Sequence, residues 1–221
     1  MDVRCALMRG GDMDPSSDPR ASAGDLTAKA RIRNAAMDLY AEFGEDRTSM
    51  RTVASTAGVT VGLVVHHFKN KDGLRDAVEE LIVEHFSQAI AQAPADGEPR
   101  QVMSARDAAV ERMLAAHPEV VNYLRRALLD PAKPTNSLID RLTTLSRSEL
   151  RKVREAGLAP SDRRESAQVV DVIVRQFGQL FLQPLVDSVW ERVSSPEESE
   201  SEKPKLMVAV RNSVRTTTSS G

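Results

Sequence analysis

The stretch that most limits what this chain can fold into is residues 48–74: Thr-Ser-Met-Arg-Thr-Val-Ala-Ser-Thr-Ala-Gly-Val-Thr-Val-Gly-Leu-Val-Val-His-His-Phe-Lys-Asn-Lys-Asp-Gly-Leu. It reads as two short helices joined by a sharp turn. Thr48 or Ser49 can cap the first, because a hydroxyl there accepts a backbone N–H that the helix leaves unpaired. Met50, Val53, Ala54 and Ala57 recur at helical spacing and form one apolar face. Gly58 stands where the helix must stop, a position that favours a left-handed residue. Thr60 caps the second helix, which is expected to run to about His67. This is the helix-turn-helix layout, in which the second helix is shaped to enter a DNA major groove.

The pattern Thr-Ser-x-Arg-x-Val-Ala-x-x-Ala-Gly-Val-Thr-x-Gly-x-Val-x-His-His-Phe-x-x-Lys-Asp-x-Leu resembles the DNA-binding head of the TetR family of transcriptional regulators. The resemblance covers roughly residues 27–90. It implies an all-α fold: a three-helix DNA-binding head followed by a helical bundle that binds a ligand and dimerises. It also implies that Val61, Gly62 and Leu63 meet bases and that His67 meets the DNA backbone. A tyrosine is usual in the family where Val65 stands, so one phosphate contact common in the family has no counterpart here.

The residues themselves suggest how such a head would work. Arg51 falls on the exposed face of the first helix, where a guanidinium fork can reach a guanine edge or a phosphate. Thr48 and Ser49, at the start of that helix, join the candidate DNA contacts. Thr60 can add a phosphate contact to its cap, because helix N-termini attract anions. Val61, Gly62 and Leu63 cannot hydrogen-bond a base edge through side chains, so they would read thymine methyls and groove shape. His66, His67 and Lys71 complete the candidate set, Lys71 as a phosphate clamp. Adjacent histidines on a helix diverge, and no HExxH, CxxC or carboxylate cluster accompanies this pair. No metal and no cofactor is therefore expected.

The net charge is −2, which excludes a uniformly basic nucleic-acid binder and leaves only a local basic face. A head with so few base-reading polar side chains needs a second copy, so a homodimer on double-stranded DNA with an inverted-repeat operator is expected. Cys5 is the only cysteine, which rules out an internal disulfide and fits a cytoplasmic location. No run approaches eighteen consecutive apolar residues, and residues 1–9 lack the apolar core of a secretory signal, so no membrane partner is expected.

Residues 1–24 read as a disordered tail, broken by Gly10, Gly11, Pro15 and Pro19. The head is assigned to residues 25–71. Its first helix spans 27–43, with Ile32, Ala35, Ala36, Leu39, Tyr40 and Phe43 as the apolar stripe, Lys29, Arg31 and Arg33 opposite, and Gly44 as the stop. A long helix from about Asp72 to Ala93 follows. The ligand-binding and dimerisation domain is assigned to residues 72–215, with helical runs at 100–116, 118–129, 134–156 and 161–181. Pro184 interrupts the last run, and apolar spacing resumes through Trp190. Residues 194–204 read as a loop, 205–214 as a final helix and 216–221 as a frayed tail.

A small-molecule effector of unknown identity is the second expected partner. Arg175, Gln176 and Gln179 form a polar stripe on an otherwise apolar helix, the pattern of a cavity wall. Met103, Met113 and Tyr123 are added as candidate lining, methionine because its side chain adapts to a ligand. Dimerisation is assigned to residues 168–193 with help from the final helix. No catalytic constellation stands out, since the chain has no phosphate-cradling loop and no nucleophile elbow. Two other readings fit the same residues: a small helical enzyme with a relic head, and a ligand-free architectural DNA-binding protein.

Overall fold

The computed structural model describes residues 27–129, 137–159, 162–195 and 197–210. Those residues form eight α-helices and one short 3-10 turn at Glu200–Glu202, with no strand among them. The chain divides into two compact units, Met1–Gln88 and Ala89–Gly221.

The first unit holds α1 (Ala28–Phe43), α2 (Met50–Thr56), α3 (Val61–Phe68) and most of α4 (Lys71–Ala91). Thr27 caps α1 by accepting the N–H of Ala30 at 3.3 Å, and Gly44 ends it at φ 85°. Ile32, Ala36, Met37 and Tyr40 of α1 are buried together with Val53 and Ala54 of α2 and Val64 and Phe68 of α3. Leu74, Val78, Leu81 and Ile82 of α4 are fully covered in the same unit. The compact head therefore extends well past residue 71, because α4 brings buried apolar residues to it. Phe43 was expected in this core but is 48% exposed. It is the last residue before the turn at Gly44, so its side chain lies beyond the partners that cover Tyr40.

Polar links lock the head as well. The Thr48 hydroxyl donates to the Gly44 carbonyl at 2.9 Å, tying the start of α2 to the end of α1. Arg75 on α4 pairs with Glu45 at 3.2 Å and with Asp72 at 2.9 Å. Burial, reinforced by the charge of Glu45, pushes the Tyr40 phenol pKa well above its ordinary value. The joint between α3 and α4 is only Lys69 and Asn70. Lys69 takes φ 68°, and the Phe68 carbonyl accepts the N–H of Asn70 at 2.8 Å. The Asn70 side chain accepts the N–H of Gly73 at 2.9 Å. A Cβ on Gly73 would lie 2.2 Å from the Phe68 carbonyl oxygen, so the joint is closed by a residue that must have no side chain.

The second unit contains α5 (Pro99–Ala116), α6 (Pro118–Leu129), α7 (Ser137–Glu155) and α8 (Glu165–Val193). Val102, Val110, Met113, Val120, Leu124, Leu138, Leu142 and Val153 form its core. Arg106 of α5 pairs with Glu149 of α7 at 3.4 Å, and Glu165 at the start of α8 accepts from Arg147 and Arg151 of α7.

Two expectations are corrected here. α8 does not break at Pro184 but runs through it for 29 residues. The missing N–H and the ring clash affect a single turn, and apolar residues continue the helix on both sides. The helix expected at 205–214 is absent through residue 210, and 211–214 lie outside the described residues. Residues 204–210 instead have no regular secondary structure, with Leu206, Val208 and Val210 half-buried and Lys205, Met207 and Ala209 exposed. That alternation is the period of an extended chain lying along a surface. The segment lies along α8: Leu206 N–H donates to Gln183 at 3.0 Å and Val210 N–H to Asp171 at 3.3 Å. Val208 sits against Gly178, where a Cβ would approach it to 2.8 Å. The assigned tails at 1–24 and 216–221 lie outside the described residues.

Candidate functional site

Two places in the molecule gather the residues singled out from the sequence. The first is on the head. Ser49, not Thr48, caps α2, its hydroxyl accepting the N–H of Thr52 at 3.0 Å. Thr48 is buried at 3% exposure and its hydroxyl is engaged by Gly44, so the structure places it within the scaffold, away from any DNA-facing surface. Gly58 turns the chain at φ 66°, and the Val59 N–H returns to the Ala54 carbonyl at 2.9 Å. Thr60 caps α3 by accepting the N–H of Leu63 at 3.3 Å.

These caps fix which faces are buried and which are open. Val53 and Ala54 of α2 and Val64 and Phe68 of α3 point inward. Arg51, Thr60, Val61, Gly62, Val65 and His66 are exposed, with Leu63, His67 and Lys71 half-exposed. Arg51 and Lys71 have no ion-pair partner among the described residues. Both charges are therefore available for a ligand. A Cβ on Gly62 would meet nothing closer than the Thr60 hydroxyl at 3.9 Å, so its bareness serves the outer surface and not internal packing. His66 and His67 make an edge contact with ring centroids 5.2 Å apart. Among the described residues, no three His, Cys, Asp or Glu side chains converge as a metal site.

Chemically, this is a surface with a helix N-terminus, two cations that no described residue pairs, and the exposed apolar residues Val61 and Val65. The N-terminal N–H groups of α3 suit a phosphate, and the apolar residues suit the methyl-bearing edge of a base.

The second place is a half-open cavity of about 410 Å³ in the second unit, between α5, α6 and α8. Val110, Leu114, Val121 and Leu180 supply apolar wall. Of the six expected lining residues, Arg175, Gln176 and Gln179 are there. Met103, Met113 and Tyr123 are not. Met113 and Tyr123 are core residues at 4% and 5% exposure, and Met103 is half-buried away from the cavity. Apolar side chains at helical spacing filled the bundle, leaving the polar stripe to form the wall.

Three lining carboxylates, Asp107, Glu111 and Asp187, and the lining cation Arg125 escaped the sequence reading of the cavity. Asp107 and Glu111 stand one turn apart on α5 and meet Arg175 and Gln179, one turn apart on α8. Asp107 takes both Arg175 guanidinium nitrogens, one of them at 3.3 Å. Glu111 accepts from Gln179 at 3.2 Å. Asp187 accepts from the Gln183 amide at 3.0 Å and from Lys203 at 3.3 Å, and these bonds hold its carboxyl below the usual carboxylate pKa range. The matching four-residue spacings on α5 and α8 were the available signal, but pairing them requires knowing that the two helices are neighbours.

α8 is long and apolar enough, by length and composition, to cross a membrane. Its polar ladder of Arg175, Gln179, Gln183 and Asp187 is engaged by side chains of its own unit, while Val170, Val174, Leu182, Leu185, Val189 and Val193 are exposed along another side.

Comparison with known proteins finds relatives of the chain. The family profile described as bacterial regulatory proteins, tetR family, matches residues 32–78. An HTH-type transcriptional repressor of Mycobacterium tuberculosis is 32% identical over 176 residues, covering 79% of this chain and 84% of that protein. The regulatory protein RaaS of the same species is 40% identical over 75 residues, 34% of this chain and 35% of that protein. Among solved structures, a TetR-family regulator from Haemophilus influenzae superposes with a TM-score of 0.54 at 17% identity, over 79% of this chain and 91% of that one. TylP, a TetR regulator from Streptomyces fradiae, superposes with a TM-score of 0.53 at 18% identity, over 75% of this chain and 81% of that one.

Proposed function

We infer, from the premise that this chain belongs to the TetR family of bacterial regulatory proteins, how a DNA-binding transcriptional regulator of this sequence does its work. It acts as a homodimeric repressor of an inverted-repeat operator and is released when a small molecule occupies the cavity between α5, α6 and α8. The observation that carries the reading is the open face of α2 and α3. Arg51, Thr60, Val61, Gly62, Val65 and His66 are exposed on helices whose opposite sides are buried.

The division of labour follows from side-chain chemistry. Arg51 contacts a base, its fork matching paired acceptors. Ser49, Thr60, His66, His67 and Lys71 serve the phosphates, Thr60 through the α3 N-terminus it caps. Val61, Gly62 and Leu63 rest against thymine methyls and sense groove shape. The exposed apolar side of α8 pairs with a second copy, which places two heads on one operator. The ligand acts by favouring a dimer arrangement whose head spacing no longer fits successive major grooves.

Selection of genomic fragments by the purified protein tests this directly. A palindrome should emerge, with half-sites about one helical turn apart, roughly 34–36 Å. Recovery of no shared motif would overturn the regulator mechanism, and a motif with a single half-site would overturn the dimeric part.

A further inference from the structure

The cavity between α5, α6 and α8 shares two lining residues with the segment 203–210. Gln183 and Asp187 both line the cavity, and both hold the segment: Gln183 accepts the Leu206 N–H at 3.0 Å, and Asp187 accepts from Lys203 at 3.3 Å. The rest of the segment is fastened beyond the cavity, by Val208 against Gly178 and by the Val210 N–H on Asp171. The chain's own C-terminal segment is thus moored to one end of the cavity by two hydrogen-bond donors, one of them a cation.

We propose that residues 203–210 are a built-in competitor of the cavity ligand, and that the ligand is an apolar molecule bearing a protonated nitrogen. The inference rests on the reading of this cavity as the effector site. Its chemistry follows from what a ligand at that end must replace. Both moorings on the α8 side are acceptors, a carbonyl oxygen and a carboxylate, so a ligand that lifts the segment must bring donors. A neutral or anionic head would leave the Asp187 carboxylate without its cation. With Lys203 lifted from Asp187, three lining carboxylates, Asp107, Glu111 and Asp187, stand against two lining cations, Arg125 and Arg175. Arg175 is already forked on Asp107. The apolar wall of Val110, Leu114 and Leu180 accepts a hydrocarbon body, and about 410 Å³ suits a molecule of modest size. Binding therefore exchanges one ammonium for another and frees the segment from the α8 face on which Val208 lies.

Calorimetry on the full chain with octylammonium, octanol and octanoate decides the matter, because the three share a chain and differ in the head. Octylammonium should bind about tenfold more tightly than either of the others, the difference expected of one charge-assisted hydrogen bond. Asp187→Asn should erase that preference. Lys203→Met removes the competing cation and should tighten octylammonium several-fold while leaving octanol unchanged. Gly178→Leu displaces Val208 without touching the cavity wall, and it should also tighten octylammonium. Octanoate binding most tightly would overturn the charge assignment while leaving the cavity reading intact. Unchanged octylammonium affinity in both Lys203→Met and Gly178→Leu would overturn the competition. Failure of all three probes to bind would overturn the effector-cavity reading itself, and this inference with it.

Discussion

α4 and α8 are the two longest helices, of 21 and 29 residues, and they are covered very differently. Leu74, Val78, Leu81 and Ile82 of α4, which belong to the head unit, are fully buried. On α8 only Gln168 and Val169 are buried, while Leu182, Leu185 and Val189 stand open. The head keeps α4 covered, whereas the second unit carries an apolar helix that its own residues cover only in part. Contiguous exposed apolar surface on a globular protein marks a place where something else binds. The contrast teaches that α4 and α8 answer to different constraints: α4 to the packing of one chain and α8, on the proposed function, to the presence of a second.

The sharpest way to break this comparison is to damage each helix in turn. Leu81→Ala should destabilise the protein by about 2–5 kcal/mol, read from denaturant unfolding. Leu185→Glu, at a residue 62% exposed, should leave helix content unchanged but shift the sedimenting species from dimer to monomer at micromolar concentration. Equal stability losses in the two variants would erase the distinction between them.

The next effect belongs to the head's outer face. Arg51→Ala should cost roughly 1–3 kcal/mol per half-site on the preferred operator and relax preference at one base position. Equal weakening on operator and scrambled DNA would reassign Arg51 to phosphate. Lys71→Ala should act differently, weakening all sequences alike and flattening the slope of log affinity against log salt by about two units in a dimer. Titrations at several salt concentrations separate the two, and an unchanged slope would move the electrostatic grip to Lys29, Arg31 or His67.

The smallest effect is confined to alkaline solution. The Tyr40 phenol pKa is raised in the folded head by burial and by Glu45. A raised pKa gives stability that is complete below the ordinary phenol value and falls as pH climbs above it, because the unfolded chain loses its proton first. Head unfolding followed above about pH 10 should show this decline, and Tyr40→Phe should remove that part of it. An identical alkaline profile in the variant would mean another group sets the limit.

Much of the head was legible because its signals are local. Thr27, Ser49, Thr60, Gly44 and Gly58 act within one helical turn of their own positions, and each sits where capping chemistry puts it. Thr48 was harder, since its hydroxyl is claimed by a carbonyl on the preceding helix and its burial depends on how α1 and α2 pack. Residues 205–210 misled for another reason. Leu206, Val208 and Val210 alternate as an extended chain should, but the apolar Met207 and Ala209 between them blur the period into a continuous run. Met207 is 91% exposed, which no pattern of the chain alone announces. The cavity was legible only on α8, through Arg175, Gln176 and Gln179. Its α5 and α6 walls, Asp107, Glu111 and Arg125, come from turns far away in sequence, and tertiary packing selects them.

The closed joint between α3 and α4 has a mechanical meaning. With two residues between the helices, and with the Gly73 backbone pressed so near the Phe68 carbonyl that no Cβ fits, the linkage has no slack. In the language of machines it is a coupling without backlash. A twist of the first turn of α4 is delivered to Phe68 at once, not absorbed by a loop. Phe68 is buried in the head and closes the helix that carries Val61, Gly62 and Val65, so the joint ties Gly73 directly to the helix that presents those residues.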